Sequence, residues 1–138
     1  DNSTAGLINL NINQQQRARN AGSYPWTHNE YGAQYLWGIP KQDQDLAEVE
    51  ALLLEQIDRI KNGQFDESII PAIVTDFKKS YKQRLESNGP RVSLMRDSYL
   101  AFEEWEHTVG SLDRMAKLRK KDIIKVAKKY FKDGYVAG

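Results

Sequence analysis

Apolar positions repeat at spacings of three and four over residues 45–62, where Leu46, Val49, Leu53, Ile57 and Ile60 fall on one face of a helix. Asp45 with Glu48 reads as a capping box at its start, and Gly63 stands where a left-handed residue closes a helix. A second helix opens near residues 66–69, with Phe65 placed to pack on Ile70 and Pro71 tolerated in a first turn. Its stripe continues through Ile73, Phe77 and Tyr81. Ser87, Asn88 and Gly89 break the chain. Pro90, whose missing amide hydrogen is not needed in a first turn, then opens a helix with Val92, Leu94, Met95, Tyr99 and Phe102 as apolar positions. A short helix over residues 111–118 and a last one over 121–132 follow, the last presenting Ile123, Val126, Ala127, Tyr130 and Phe131 on one face. Together these form a helical block over residues 44–132.

Upstream the pattern changes. Tyr31, Ala33, Tyr35, Trp37 and Ile39 alternate with Gly32, Gln34, Leu36 and Gly38 until Pro40 stops the run, which predicts a strand. Residues 18–24 are its antiparallel partner, joined through residues 25–30. Residues 1–17 are predicted mainly helical, although Leu7, Ile8, Leu10 and Ile12 also carry strand-like alternation. Tyr135 and Val136 suggest a closing strand within residues 133–138. The expected fold class is α+β: mostly helical, with a small antiparallel sheet of two to three strands packed against five to six helices. Residues 1–138 are read as a single fragment, with 1–40 as a helix plus two strands. The start has neither initiator methionine nor leader pattern and is expected to be the cut end of an internal piece. No apolar run approaches the roughly 20 residues that span a bilayer, so no membrane partner is expected.

Composition narrows the chemistry. Lys plus Arg number 20 against 19 for Asp plus Glu, and the net charge of +1 gives no whole-molecule attraction for a polyanion. Nine positive charges lie within residues 114–132, yet on the last helix the lysines fall on the arc opposite its apolar positions, as on a solvated face. No nucleic-acid partner is expected. Cysteine is absent, which removes disulfides, thiolate zinc sites and cysteine nucleophiles, and suits a cytosolic or a bacterial periplasmic protein. The two histidines, His28 and His107, are far apart. Glu103 and His107 share a helical face one turn apart but supply only one carboxylate and one imidazole, and His107 fits a solvated helix end. Ser80 and Ser98 have no neighbouring base that would activate them. Asn2, Ser3 and Thr4 form a glycosylation sequon. The aromatic cluster Tyr24, Trp26, Tyr31, Tyr35 and Trp37 is expected in core and sheet packing, with lining of a peptide groove as the alternative.

In order, "EVEALLLEQIDRIKNGQFDESII", "RLESNGPR" and "KKDIIKVAKKYF" resemble the pitrilysin/insulinase family of zinc metallopeptidases, in which a half-domain ends with this series of helix caps and breaks. Ala5-Gly6-Leu7-Ile8 and "YGAQYLWGIPK" fit the preceding helix and strand. The resemblance implies a half-domain of a clamshell whose two halves enclose peptides. Catalysis in that family rests on a His-x-x-Glu-His zinc motif, which this chain lacks. The chain is therefore expected to be a non-catalytic fragment, with no cofactor of its own and with zinc in the catalytic half of a parent metalloendopeptidase. Its partners would be the remaining domains of the parent and peptide substrate, and its compartment the bacterial periplasm or cell envelope. Family members place an arginine, and seven residues later a tyrosine, where they help bind substrate. Arg17 and Tyr24 have that spacing, with Ser23 intervening between Gly22 and the tyrosine. Tyr35 and Trp37 join them as candidate substrate contacts, on a strand edge to which a peptide can add. The expected function is shaping the chamber wall and domain assembly. The alternatives are an inactive assembly subunit paired with an active peptidase and, behind it, a nucleic-acid-binding helical domain.

Overall fold

The computed structural model describes residues 3–138; Asn2 of the sequon lies outside the described residues. A π-helical segment, Asn9–Asn13, leads into an antiparallel hairpin of β1 (Asn20–Thr27) and β2 (Gly32–Ile39). Six helices follow: α1 (Leu46–Lys61), α2 (Ile69–Arg84), α3 (Asn88–Leu100), α4 (Trp105–Val109), α5 (Ser111–Met115) and α6 (Lys120–Tyr130). The fold is α+β, with a two-stranded sheet.

The core lies between the N-terminal helical stretch, the inner face of the hairpin and α1. Ile8, Ile12, Ala18, Ala21, Val49 and Leu53 are buried there, with Leu36 and Leu52 packed against them. The approach is close enough to dictate residue size: a Cβ built on Gly38 of β2 would run into Val49 Cγ1 of α1. Buried Gln56 of α1 donates from Nε2 to Leu52 O and accepts from Asn11 Nδ2 at 2.7 Å, so one polar side chain ties α1 to the π-helical segment with its amide satisfied. Asp45 caps α1 by accepting from Ala47 N, and Gly63 adopts φ +67 just past its end, where a Cβ would meet Ile124 of α6 at 3.0 Å.

Elsewhere local physics departs from the sequence pattern. Residues 133–138 form no strand: Val136 is 98% exposed, and Tyr135 instead donates its hydroxyl to Glu50 Oε1 on α1 at 2.8 Å. Helix α3 begins at Asn88, which puts Pro90 at its third residue, still within the first turn whose amides need no partner. The apolar stripe of α3 faces outward, with Tyr99 79% and Phe102 86% exposed, while Ser98 is the buried residue and shares a 2.7 Å hydrogen bond with Thr108 Oγ1 of α4. The short helix expected over residues 111–118 is α5, which ends at Met115, and a further short helix, α4, precedes it and meets it at Gly110.

Candidate functional site

Antiparallel pairing places directly opposed residues on one face of the hairpin. One face carries Ala21, Ser23, Leu36 and Gly38 and turns toward the core. The other carries Tyr24, Trp26, Ala33, Tyr35, Trp37 and Ile39 and turns outward. Tyr24 and Tyr35, register partners, stack with ring centroids 5.2 Å apart. Trp26 meets Tyr35 edge-on at 6.2 Å, Tyr31 at 5.9 Å and His28 at 4.4 Å, and His28 stacks on Tyr31 at 4.9 Å. The result is an aromatic ladder down to the hairpin tip, exposed except for half-buried Trp37. The core packing expected for these rings is therefore corrected to sheet packing on the solvent side. The inner face must be small because α1 lies against it, and bulk is tolerated only on the other.

The backbone divides the two edges as sharply. His28 N donates to Tyr31 O at 2.8 Å, which sets the alternation. In step with that bond, pairs 26–33, 24–35 and 22–37 are the hydrogen-bonded ones, and the intervening residues point their amides and carbonyls out of the hairpin. On β1 those outward groups are interrupted at two positions. Asn13 accepts from Ala21 N through Oδ1 at 2.8 Å and donates to Ala21 O through Nδ2 at 2.9 Å, imitating a neighbouring strand, and Pro25 has no amide hydrogen to offer. On β2 the outward groups of Gly32, Gln34, Leu36 and Gly38 have no backbone partner among the described residues. That strand also contains no charge and no proline, the usual blocks against edge pairing.

Tyr24, Tyr35 and Trp37 thus share one face, and Arg17 does not join them. Arg17 Nη2 is 2.8 Å from Glu55 Oε2 on α1, while Arg59 binds the other oxygen of the same carboxylate at 3.0 Å. The Arg17 hydrogen bond, opposed by desolvation and reinforced by Arg59, holds the Glu55 carboxyl below its ordinary range. Tyr24 lies four residues into β1, roughly 13 Å along the strand from its start. Sequence reasoning did not pick out Asn13 or His28 as parts of this surface; an amide closing a strand edge has no sequence signal beyond an Asn several residues ahead of a strand.

His107 Nδ1 and Glu103 Oε2 come within 3.5 Å on an exposed face, and no group of three or more His, Asp or Glu is placed to hold a metal ion among the described residues. A groove of about 760 Å³ runs between α2, α3 and α5, lined by Phe77, Tyr81, Leu94, Leu112 and Met115, with Asp76 Oδ2 on its wall lacking a hydrogen-bond partner among the described residues. No helix is long and apolar enough to cross a membrane among the described residues.

No family model matches the sequence, and no curated protein matches it. Among solved structures, a protease from Helicobacter pylori shares this fold with a TM-score of 0.82 at 16% identity, over 95% of this chain and 32% of that one. The chain thus spans about a third of the length of that protease. At this identity the likeness is one of fold.

Proposed function

We propose that this chain is a non-catalytic part of a larger peptidase of the pitrilysin/insulinase type, and that the outer edge of β2 takes up an extended peptide as an added strand. The open, uncharged β2 edge carries this reading, because four residues offer outward backbone groups with no partner among the described residues. Strand addition draws its affinity from main-chain hydrogen bonds that any peptide sequence can make, which suits a chamber admitting varied substrates. The shared fold with a third of a protease supports the assignment. Glu103 and His107 have no third ligand beside them among the described residues, so no step is routed through a metal here. Tyr35 and Trp37, on β2 itself, are the contacts we assign to the peptide, with Tyr24 stacked in support of Tyr35. Arg17 acts through Glu55 to fix the start of the hairpin on α1.

A second reading, an inactive assembly subunit, is favoured by the outward stripe of Val92, Met95, Tyr99 and Phe102 on and just after α3. Such a stripe is what remaining domains or a partner subunit would cover. The two readings differ in the parent sequence, where one His-x-x-Glu-His motif decides.

The test is direct. The chain dialysed against zinc retains no stoichiometric, EDTA-sensitive metal and cleaves no fluorogenic peptide, yet binds a labelled uncharged peptide by fluorescence anisotropy. Gln34→Pro abolishes that binding, since it removes an outward amide while sparing the backbone bonds to β1, and Gln34→Ala, which loses only the side-chain bond to Ser23 Oγ, keeps it. Bound zinc, turnover, or unimpaired binding by the proline variant would sink the proposal.

A further inference from the structure

We infer that the β2 edge selects among extended peptides by their alternate side chains, preferring aromatic or β-branched residues on the side that continues the outward ladder. This inference rests on the strand-addition reading above and concerns what that strand must look like.

The hydrogen-bond alternation carries it. Outward backbone groups belong to Gly32, Gln34, Leu36 and Gly38, so an antiparallel peptide forms its hydrogen-bonded pairs there. Its intervening residues then oppose Ala33, Tyr35 and Trp37 in non-hydrogen-bonded pairs. In such pairs the Cα atoms approach to about 4.5 Å and side chains meet most closely. All three of these β2 residues lie on the outward face, so the positions of closest side-chain approach coincide with the aromatic ladder rather than with the core side. Tyr35 is stacked on Tyr24 at 5.2 Å and met edge-on by Trp26 at 6.2 Å, both from the β1 side, and remains 44% exposed, which presents it as a braced surface. Ala33, between Tyr35 and Tyr31, leaves room for a large side chain from the incoming strand. The other face offers no comparable selection, because Gln34 is tied to Ser23 Oγ at 2.5 Å and Leu36 packs on the core.

The ligand class is therefore an uncharged extended segment with aromatic or β-branched residues at every second position. The experiment is a titration of this chain, followed through the amide resonances of Gly32, Gln34, Leu36 and Gly38. One probe is a nine-residue peptide alternating threonine with tyrosine and valine, and the other carries alanine in place of the tyrosines and valines. The first is expected to bind about fivefold tighter than the second, as two or three cross-strand pairs imply. Tyr35→Thr, which keeps a strand-forming residue, is expected to erase most of that ratio. Equal binding of the two peptides with the same amides shifted would overturn the selection and leave the edge standing. Shifts absent for both peptides, or unaffected by N-methylation of alternate peptide amides, would overturn the edge reading and the selection with it.

Discussion

Phe102 closes α3 with a backbone φ of +54 while its ring is 86% exposed. Its N–H reaches Tyr99 O and the Glu103 N–H reaches Ser98 O, both at 3.1 Å, the paired bonds that normally select glycine at this position. Holding a side chain in the left-handed region costs roughly 1–2 kcal/mol, and so exposed a ring offsets little of that within this chain. Phe102→Gly should therefore stabilise the fold by about 1 kcal/mol, raising Tm by roughly 4 °C in thermal unfolding. A lower Tm would show that the ring makes contacts that matter here. Glu55 makes a second residue-scale prediction. Its carboxyl, bound chiefly by Arg17 and then by Arg59, titrates below the ordinary glutamate value of about 4.3. A depressed folded-state pKa gives stability that is present above the unfolded value and is lost as pH falls through the folded one. Glu55→Gln should be less stable than the native chain at pH 7, with the gap closing in acid. A gap that stays constant between pH 7 and pH 3 would contradict this.

At the scale of elements, the hairpin holds together largely by its own outward rings. Trp26 touches His28, Tyr31 and Tyr35, so Trp26→Thr should cost about 1–2 kcal/mol and abolish the near-ultraviolet circular dichroism of the ladder while helix content stays unchanged. Loss of helix signal in that variant would mean the ladder supports α1 as well. The hairpin's existence was legible from the alternation ending at Pro40, and α1, α2 and α6 from their three-and-four spacing and caps. Which face of the hairpin was buried was not legible. Alternation says which residues share a face, and the choice is made by α1 seating Val49 against Gly38. The same limit applies to α3, whose apolar stripe names a face without naming what covers it. Residues 1–17 were expected to be mainly helical, but the π character of Asn9–Asn13, and α4 altogether, stayed hidden for another reason: five residues carry too little periodicity, and both are fixed by contacts such as Gln56 with Asn11 and Ser98 with Thr108. Of the candidate contacts, Tyr24, Tyr35 and Trp37 do lie together, while Arg17, named from the arginine–tyrosine spacing that the resemblance implies, is bound to a carboxylate that no local pattern connects to it.

For the whole molecule, a chain with the fold of about a third of a protease presents two kinds of unfinished surface. One is the outward stripe of α3, whose rings ask for packing. The other is the β2 edge, whose backbone groups ask for a strand. Only the second is specific about what it accepts, since it fixes both spacing and direction of hydrogen bonds, and its counterpart on β1 is interrupted by Asn13 on Ala21 and by Pro25. The most direct test of this account is amide hydrogen exchange at Gly32, Gln34, Leu36 and Gly38, with and without a saturating uncharged extended peptide. The account predicts fast exchange at these four amides in the free chain and slowing of at least about tenfold on binding, with the inward-bonded amides of Ala33 and Tyr35 little changed. Exchange at the four that is already slow without peptide, or unaltered by it, would contradict the claim that β2 is an open edge waiting for a strand.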